Sequence, residues 1–254
     1  MAEHETQSPQ SEPESVKRFV WFTIFMVPVF ALTVWLGVWQ LQRLEWKRGL
    51  LAAIEERSEG PPVALETVLE KAKDGEDIEY TRVTVDGRFD HAREEYLYAL
   101  DEGDPGWHVI TPLETDEGST VLIDRGFVPA DKKAPEAREE GQLEGEVEVT
   151  GLVRQPQEPG PFTPDNEPAR KQWFWRDLDG MRQAMFPDSG KRVAPFFIEV
   201  EPSDIPGGLP KGGQTNLTLP NNHLQYAWTW FCMAAVLGGA YLAYAWSVFR
   251  KKKA

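Results

Sequence analysis

The sequence predicts an α+β membrane protein in which two transmembrane helices flank one extramembrane domain with an antiparallel sheet or small barrel. Two uncharged apolar runs lie near the ends of the chain, and between them short strand-like runs alternate with turn residues. The averages conceal this arrangement. Over 254 residues the hydrophobic fraction is 41% and the mean hydropathy is −0.45, values of an ordinary soluble protein, because the apolar residues are concentrated toward the two ends.

The first run, Phe19 to Gln42, contains 24 residues without a formal charge. At about 1.5 Å per residue its apolar part, Phe19 to Trp39, reaches the ~30 Å of a hydrocarbon core. Pro28 is expected to kink it. A cleaved secretory signal would have an apolar region of only ~7–15 residues followed by a small-residue cleavage pattern. Here Leu36-Gly37-Val38-Trp39-Gln40 follows, which suits a retained anchor. The second run, Leu224 to Phe249, carries Trp and Tyr at its margins, as an interfacial belt requires. Between Asp204 and Arg250 the one charged residue is Lys211.

Two spans place both termini on one side. Lys17, Arg18 and Arg250 through Lys253 lie outside the loop, against Arg43, Lys47, Arg48 and Lys211 inside it, which orients the termini toward the cytoplasm. The tail before the first span has Glu3, Glu5, Glu12 and Glu14 and no arginine up to Ser15, unlike an arginine-rich mitochondrial presequence, so a bacterial plasma (inner) membrane with a periplasmic central domain is expected. The expected divisions are a disordered tail over 1–18, spans at 19–42 and 223–249, the α+β domain at 43–222 and a basic tail at 250–254.

Within the domain, helix formers from Glu45 to Glu59 end at Gly60-Pro61-Pro62, and a second short helix is predicted over Leu65 to Lys73. Strands are predicted at Tyr80 to Phe89, Glu95 to Leu100, Trp107 to Leu113, Thr120 to Phe127 and Glu146 to Val153. After the proline-rich loop between Pro156 and Pro168 come a helix at Asp177 to Phe186 and a last strand, Val193 to Val200, whose Pro195 favours an edge or a strand start. Four glycines and three prolines between Pro206 and Asn222 preclude regular backbone before the second span.

Composition excludes several chemistries. A net charge of −14, with 41 acidic against 27 basic residues, disfavours nucleic acid, which needs a basic face to release phosphate counterions. The domain and spans together hold 21 basic and 37 acidic residues, a solvated face or a docking surface for basic partners. A lone cysteine, Cys232, supplies neither an intramolecular disulfide nor a thiolate cluster. Gly207-Gly208-Leu209-Pro210-Lys211-Gly212 lacks the spacing of a phosphate loop, and no nucleophile elbow or His-Glu-x-x-His is present. Asn216-Leu217-Thr218 matches a glycosylation acceptor by three letters alone. The expectation is a protein that is not an enzyme.

Two helical faces are more informative. At about 100° per residue Trp35, Trp39, Gln42, Arg43 and Trp46 share a stripe leaving the first span. His223, Tyr226, Ala227, Trp230, Ala234 and Tyr241 share another at the start of the second. Ala234 with Gly238, and Ala235 with Gly239, are small-xxx-small pairs able to admit the first helix, with Gly37 as a matching approach point. Aromatic walls, an imidazole and a cation are what a haem macrocycle requires, with His223 as axial ligand and Arg43 for the propionates. The same residues equally make an interfacial belt with a hydrogen-bonded boundary histidine and a lipid-binding arginine. Periodicity leaves both readings open.

Three segments carry a resemblance. They are Leu36-Gly37-Val38-Trp39-Gln40-Leu41-Gln42-Arg43, then Val121 to Asp131 with Asp124-Arg125-Gly126-Phe127, and Gly212 to Trp230 containing Asn221-Asn222-His223-Leu224-Gln225-Tyr226-Ala227. With Trp173-Phe174-Trp175-Arg176-Asp177, they make the chain from about Val20 to Tyr244 resemble the surfeit locus protein 1 family. The resemblance implies an assembly factor, or chaperone, of the respiratory chain that serves cytochrome c oxidase, with two spans and an intervening domain outside the cytoplasm. It further implies transient binding of haem a with His223 as iron ligand, and cytochrome c oxidase subunit I, the haem a synthase and membrane lipid as partners. Trp230 is the companion cofactor-binding residue expected one face below. Tyr226, Arg43 and Trp39 join the site on helical geometry. A scaffold that binds oxidase subunits without haem is the alternative.

Overall fold

The computed structural model describes residues 14–187, 190–215 and 221–250, and the chain divides into two compact units, 1–51 with 219–254 and 52–218. The first span and the helix formers after it make one helix, α1, Glu14–Glu59, which runs through Pro28 without a break in its assignment. The second span is α4, His223–Arg250. The two are long and apolar enough to cross a membrane, and only 6% of the most apolar window of each is buried. A core helix of a soluble protein would bury that surface. Here Trp21, Phe25, Val236 and Trp246 stand more than two-thirds exposed, as side chains solvated by lipid tails do.

The contact between these helices is built from small residues. Gly37 is buried on α1, and a Cβ there would come within 2.7 Å of the Phe231 ring. Ala227 and Ala234 are buried on α4, and Gly238 lies beside Phe30. The Ala234–Gly238 pair therefore meets α1 as expected, whereas Ala235 is exposed and Gly239 has open space beside it. Gly37 receives a phenyl ring, not the opposing small pair. Further along, the Thr23 and Tyr241 hydroxyls lie 3.1 Å apart, and Phe19 and Phe22 pack on Tyr241 and Tyr244. The Thr23 hydroxyl also donates to the Phe19 carbonyl at 2.9 Å, so it accepts from Tyr241, and this polar bond inside an apolar pair fixes rotation and depth.

The second unit is a closed barrel with additions. Its strands are β1 Val63–Ala64, β2 Arg82–Phe89, β3 Glu95–Asp101, β4 Asp104–Glu114, β5 Thr120–Pro129, β6 Glu146–Arg154, β7 Gln172–Trp173 and β8 Val193–Val200. The sheet order is β1-β2-β6-β8-β5-β4-β3-β7, and a further β2–β4 pairing closes β2, β6, β8, β5 and β4 into a five-stranded ring. The ring is mixed, not purely antiparallel: β5 and β8 run parallel, as do the short pairs β1–β2 and β3–β7. Strand β8 is interior to the sheet, so Pro195 does not mark an edge. It sits near the strand's start, where the β5–β8 register shifts between Thr120 and Leu122 and before the β6 ladder begins at Phe197, so its missing N–H breaks no regular ladder bond.

Inward residues from all five ring strands fill the barrel: Val83, Val85, Leu113, Val121, Ile123, Val149, Val153, Phe196 and Ile198, capped by Leu65 and Val68 of α2, Leu65–Lys73. On the opposite face Leu97, Ile110, Leu122, Trp173 and Phe197 pack with Met181 and Met185 of α3, Leu178–Met185. Asp177 caps α3 by accepting from the Gly180 N–H at 2.9 Å. Among the described residues, 155–167 and 201–215 contain turns and isolated bridges, with one short 3-10 turn at Pro206–Gly208. The Asn216-Leu217-Thr218 pattern and the Thr218–Pro220 part of the last motif lie outside the described residues.

Strand β5 carries a glycine whose backbone dictates its identity. Gly126 has φ +110°, and a Cβ there would meet the Lys211 carbonyl at 2.1 Å. Lys211 lies against the barrel through paired bonds with Phe127, at 2.9 and 2.8 Å. Replacing Gly126 by alanine combines left-handed strain of about 1–3 kcal/mol with expulsion of that segment. Gly126→Ala should therefore lower the denaturation midpoint and deprotect the Phe127 amide in hydrogen exchange; an unchanged midpoint and protected amide would show that the close approach does not exist.

Candidate functional site

His223 opens α4. In its first turn the backbone N–H groups have no intrahelical acceptors, and the Tyr226 N–H is satisfied by the Asn222 carbonyl at 3.1 Å. The His223 ring is half-buried because Nδ1 turns toward α1, 2.7 Å from Gln40 Oε1. With that amide oxygen as acceptor, Nδ1 carries the proton and Nε2 keeps its lone pair. Nε2 has no hydrogen bond to any described residue. A histidine whose Nδ1 proton is held by an oxygen presents Nε2 as a basic ligand for a metal.

Gln40 was not singled out by the aromatic stripes. Trp35, Trp39 and Trp46 are 60%, 43% and 54% exposed, so their side of α1 faces away from α4, and the contacting side runs through Thr33, Gly37, Gln40 and Leu44. Arg43 is exposed and stacks on Trp46, its guanidinium carbon 3.9 Å from the ring centroid. Tyr226 is 54% exposed and Trp230 half-buried. No hydrogen bond, ion pair or ring contact among the described residues joins His223 to Tyr226, Trp230, Trp39 or Arg43. What they share is a side of the pair. With Gln40 and Ala227 turned toward the partner helix, steps of about 100° put Trp39 and Arg43 on α1 and Tyr226 on α4 to the same flank, because the helices run antiparallel.

The barrel holds two buried charge networks that a linear reading could not assemble. In the first, His108 of β4 places Nδ1 2.8 Å and 2.9 Å from the two oxygens of Asp124 on β5. Arg176 approaches Asp124 at 3.4 Å and Glu199 of β8 at 3.3 Å, while Arg154 of β6 holds Glu199 at 2.7 Å and Glu79 at 2.9 Å. Three carboxylates face two guanidiniums, so the group is neutral when His108 is protonated. Burial depresses the His108 pKa, but the Asp124 carboxylate beside it, with help from Glu199, raises it above its ordinary value. Burial likewise pushes Asp124 up, and His108 and Arg176 bring it below the carboxylate range.

One oxygen or nitrogen from each of His108, Asp124 and Glu199 lies within 4.8 Å of the others, a spacing open to a metal ion. Two guanidiniums already occupy the carboxylates. A divalent cation would have to displace both and the imidazole proton, so the arrangement is an ionic clamp across four barrel strands.

The second network centres on Glu94, 1% exposed, which accepts from Arg138 and lies 3.3 Å from Arg125 and 3.4 Å from His91. With its amide oxygen and nitrogen exchanged, Gln142 bridges the pair, donating to Glu94 at 3.1 Å and accepting from Arg138 at 2.7 Å. Burial alone would raise the Glu94 pKa; hydrogen bonds from His91 and Arg138 and the two guanidinium charges bring it down to about 2. Burial brings Arg125 down to about 10.

Comparison with known proteins places this architecture. A profile of the SURF1 family matches residues 27–235. The chain is 38% identical to human Surfeit locus protein 1 over 249 residues, covering 91% of this chain and 78% of that protein. It is 38% identical to the rat Surfeit locus protein 1 over 97% of this chain and 79% of the relative, and 30% identical to a Caenorhabditis elegans SURF1-like protein over 88% and 74%. The chain belongs to the SURF1 family. The match takes in Gln40 and His223 as well as both charge networks, so the helix-boundary histidine and the barrel clamp lie inside the shared region.

For this SURF1 chain the sign of the pH response follows from His108. Its folded pKa is raised, so its contribution is fully present below the unfolded value near 6.5 and is lost as pH climbs through the folded value. The denaturation midpoint should fall as pH rises above the unfolded value near 6.5, and His108→Asn should flatten that slope. A parallel slope in the variant would assign the titration elsewhere. Glu94 acts in the opposite sense: its stabilisation is present above its ordinary value and lost as pH falls toward 2. Glu94→Gln leaves Arg125 and Arg138 buried beside no carboxylate and should cost about 3–5 kcal/mol in denaturant titration, against under 1 kcal/mol if the network is solvated.

Proposed function

We propose that this SURF1 chain is a cytochrome c oxidase assembly factor that binds haem a at the outer end of its helix pair and assists its insertion into, or stabilisation in, subunit I. The observation that carries this reading is His223, with Nδ1 bound to Gln40 Oε1 at 2.7 Å and Nε2 free of any bond to a described residue. The donor set suits an iron porphyrin: an imidazole nitrogen for the metal, exposed Tyr226 and Trp39 for the macrocycle, and Arg43 for a propionate. Haem a, when bound, supplies the iron and the macrocycle, and no bond of it is made or broken here. Gln40 orients the imidazole, Arg43 and the tryptophans hold the periphery, and Trp230 supports the face below.

Weak enclosure suits hand-over. A macrocycle on an open flank of the pair remains accessible to an acceptor. The protein acts by binding and transfer, not turnover, beside subunit I and the haem a synthase. A bacterial plasma membrane with the barrel on the periplasmic side accords with the distribution of Lys and Arg about the spans.

Haem content of the detergent-purified chain, coexpressed with the haem a pathway, tests the proposal. His223→Ala should lose most of the pigment and shift the Soret band of the remainder. Gln40→Leu should weaken retention about 10–100-fold, the usual cost of removing the partner that orients a ligating histidine. Unchanged pigment and spectrum in His223→Ala would remove the ligand assignment. Wild-type chain that copurifies with oxidase subunits but never carries pigment would favour the haem-free scaffold.

A further inference from the structure

The β3–β4 hairpin extends past the barrel and leaves one edge unguarded. Strand β3 pairs with β4 along Glu95 to Asp101, but on its other side β7 covers only Tyr96 and Leu97. From Tyr98 to Asp101 no strand among the described residues is paired to that edge. The hairpin is held by a two-residue turn, Glu102 and Gly103, both at positive φ (53° and 99°), the geometry whose twist matches paired strands. Its other side is protected. At the tip β4 has Pro105, which has no N–H to offer, and from Gly106 onward β4 is covered by β5.

Open strand edges in folded proteins are usually blunted by proline, lysine, a bulge or a covering segment, because their free N–H and C=O groups template pairing with another chain. Tyr98-Ala99-Leu100-Asp101 has none of these residues. Its outward side chains, at alternating positions, are Tyr98, 42% exposed, and Leu100, 63% exposed. Tyr98 is held in place by edge contact with Trp107 and by Phe174, at ring distances of 5.7 and 6.0 Å. An apolar stripe on a fixed, unpaired strand is a surface for strand addition.

Charge selects the occupant. Asp101, Glu102 and Asp104 gather at the tip, where Lys211 reaches Asp101 at 3.2 Å, on a chain whose net charge is −14. Two copies meeting edge to edge would oppose these acids. We propose that the β3 edge, Tyr98 to Asp101, adds an extended segment of a partner protein in which apolar residues alternate with lysine or arginine, so that apolar side chains cover Tyr98 and Leu100 and the cations meet the acidic tip.

The probe is a synthetic ten-residue peptide of alternating valine and lysine, titrated into the full detergent-solubilised chain and read by fluorescence anisotropy and by amide hydrogen exchange. Binding should protect Tyr98 to Asp101. Leu100→Lys, at an exposed position, should weaken it at least tenfold without changing the denaturation midpoint. A peptide with glutamate in place of lysine, and one N-methylated on alternate residues, should each bind at least tenfold more weakly, the first testing charge and the second backbone pairing. Absence of protection at millimolar peptide, or equal binding of the N-methylated peptide, overturns the proposal. So does a chain that dimerises through this edge and becomes monomeric in Leu100→Lys, which would make a second copy the occupant.

Discussion

The hydrogen bond from His223 to Gln40 is where the two spanning helices acquire a chemical task. Helices in lipid gain nothing from burying apolar surface against each other, so their contact depends on close approach and a few polar bonds. Gly37 against Phe231, with Ala227, Ala234 and Gly238 on the facing side, permits the approach. Thr23 with Tyr241 near one end and Gln40 with His223 near the other fix rotation and register. The second of these bonds also fixes a tautomer. An imidazole that donates through Nδ1 leaves Nε2 for another partner, and in the proposed function that partner is haem iron.

The barrel answers a different constraint. Five strands close on themselves, and the charged residues enclosed between them must neutralise one another. His108, Asp124, Glu199, Arg154 and Arg176 come from β4, β5, β8, β6 and the segment after β7, so their network clasps strands distant in sequence. Such an ionic network offers little net stability over an apolar core, yet loss of any one member strands the rest. It ties the strands into one register, and β5 contributes Asp124 to it, Arg125 to the second network and the closely packed Gly126.

Much of this was legible in the sequence, for physical reasons that differ by element. Helix α2 and strand β8 have the bounds their periodicity predicts, because each is delimited by proline, glycine or charge. Strand β2 starts at Arg82, not Tyr80, since Tyr80 has φ 61°, which no strand adopts. The parallel pairings were not legible: β1 and β7 are two residues each, too short to show a period, and β5 meets β8 across more than sixty residues. His223 and the boundary of the second span were readable from the motif and from hydropathy. Gln40 was not, because the aromatic stripe on α1 lies on a different side of the helix from the one that meets α4. The charge networks were hidden for a simpler reason: in a chain with 41 acidic residues, partners are recognised only once the fold brings them together.

The central claim is that His223 Nε2 ligates haem iron while Nδ1 remains bonded to Gln40. Pulsed electron paramagnetic resonance on the ferric haem-loaded chain, prepared with natural and with 15N-labelled histidine, reads this directly. The account predicts a strongly coupled imidazole nitrogen that changes with the label, together with a weakly coupled remote nitrogen whose proton coupling is altered in Gln40→Leu. Iron whose spectrum is indifferent to the histidine label would contradict it.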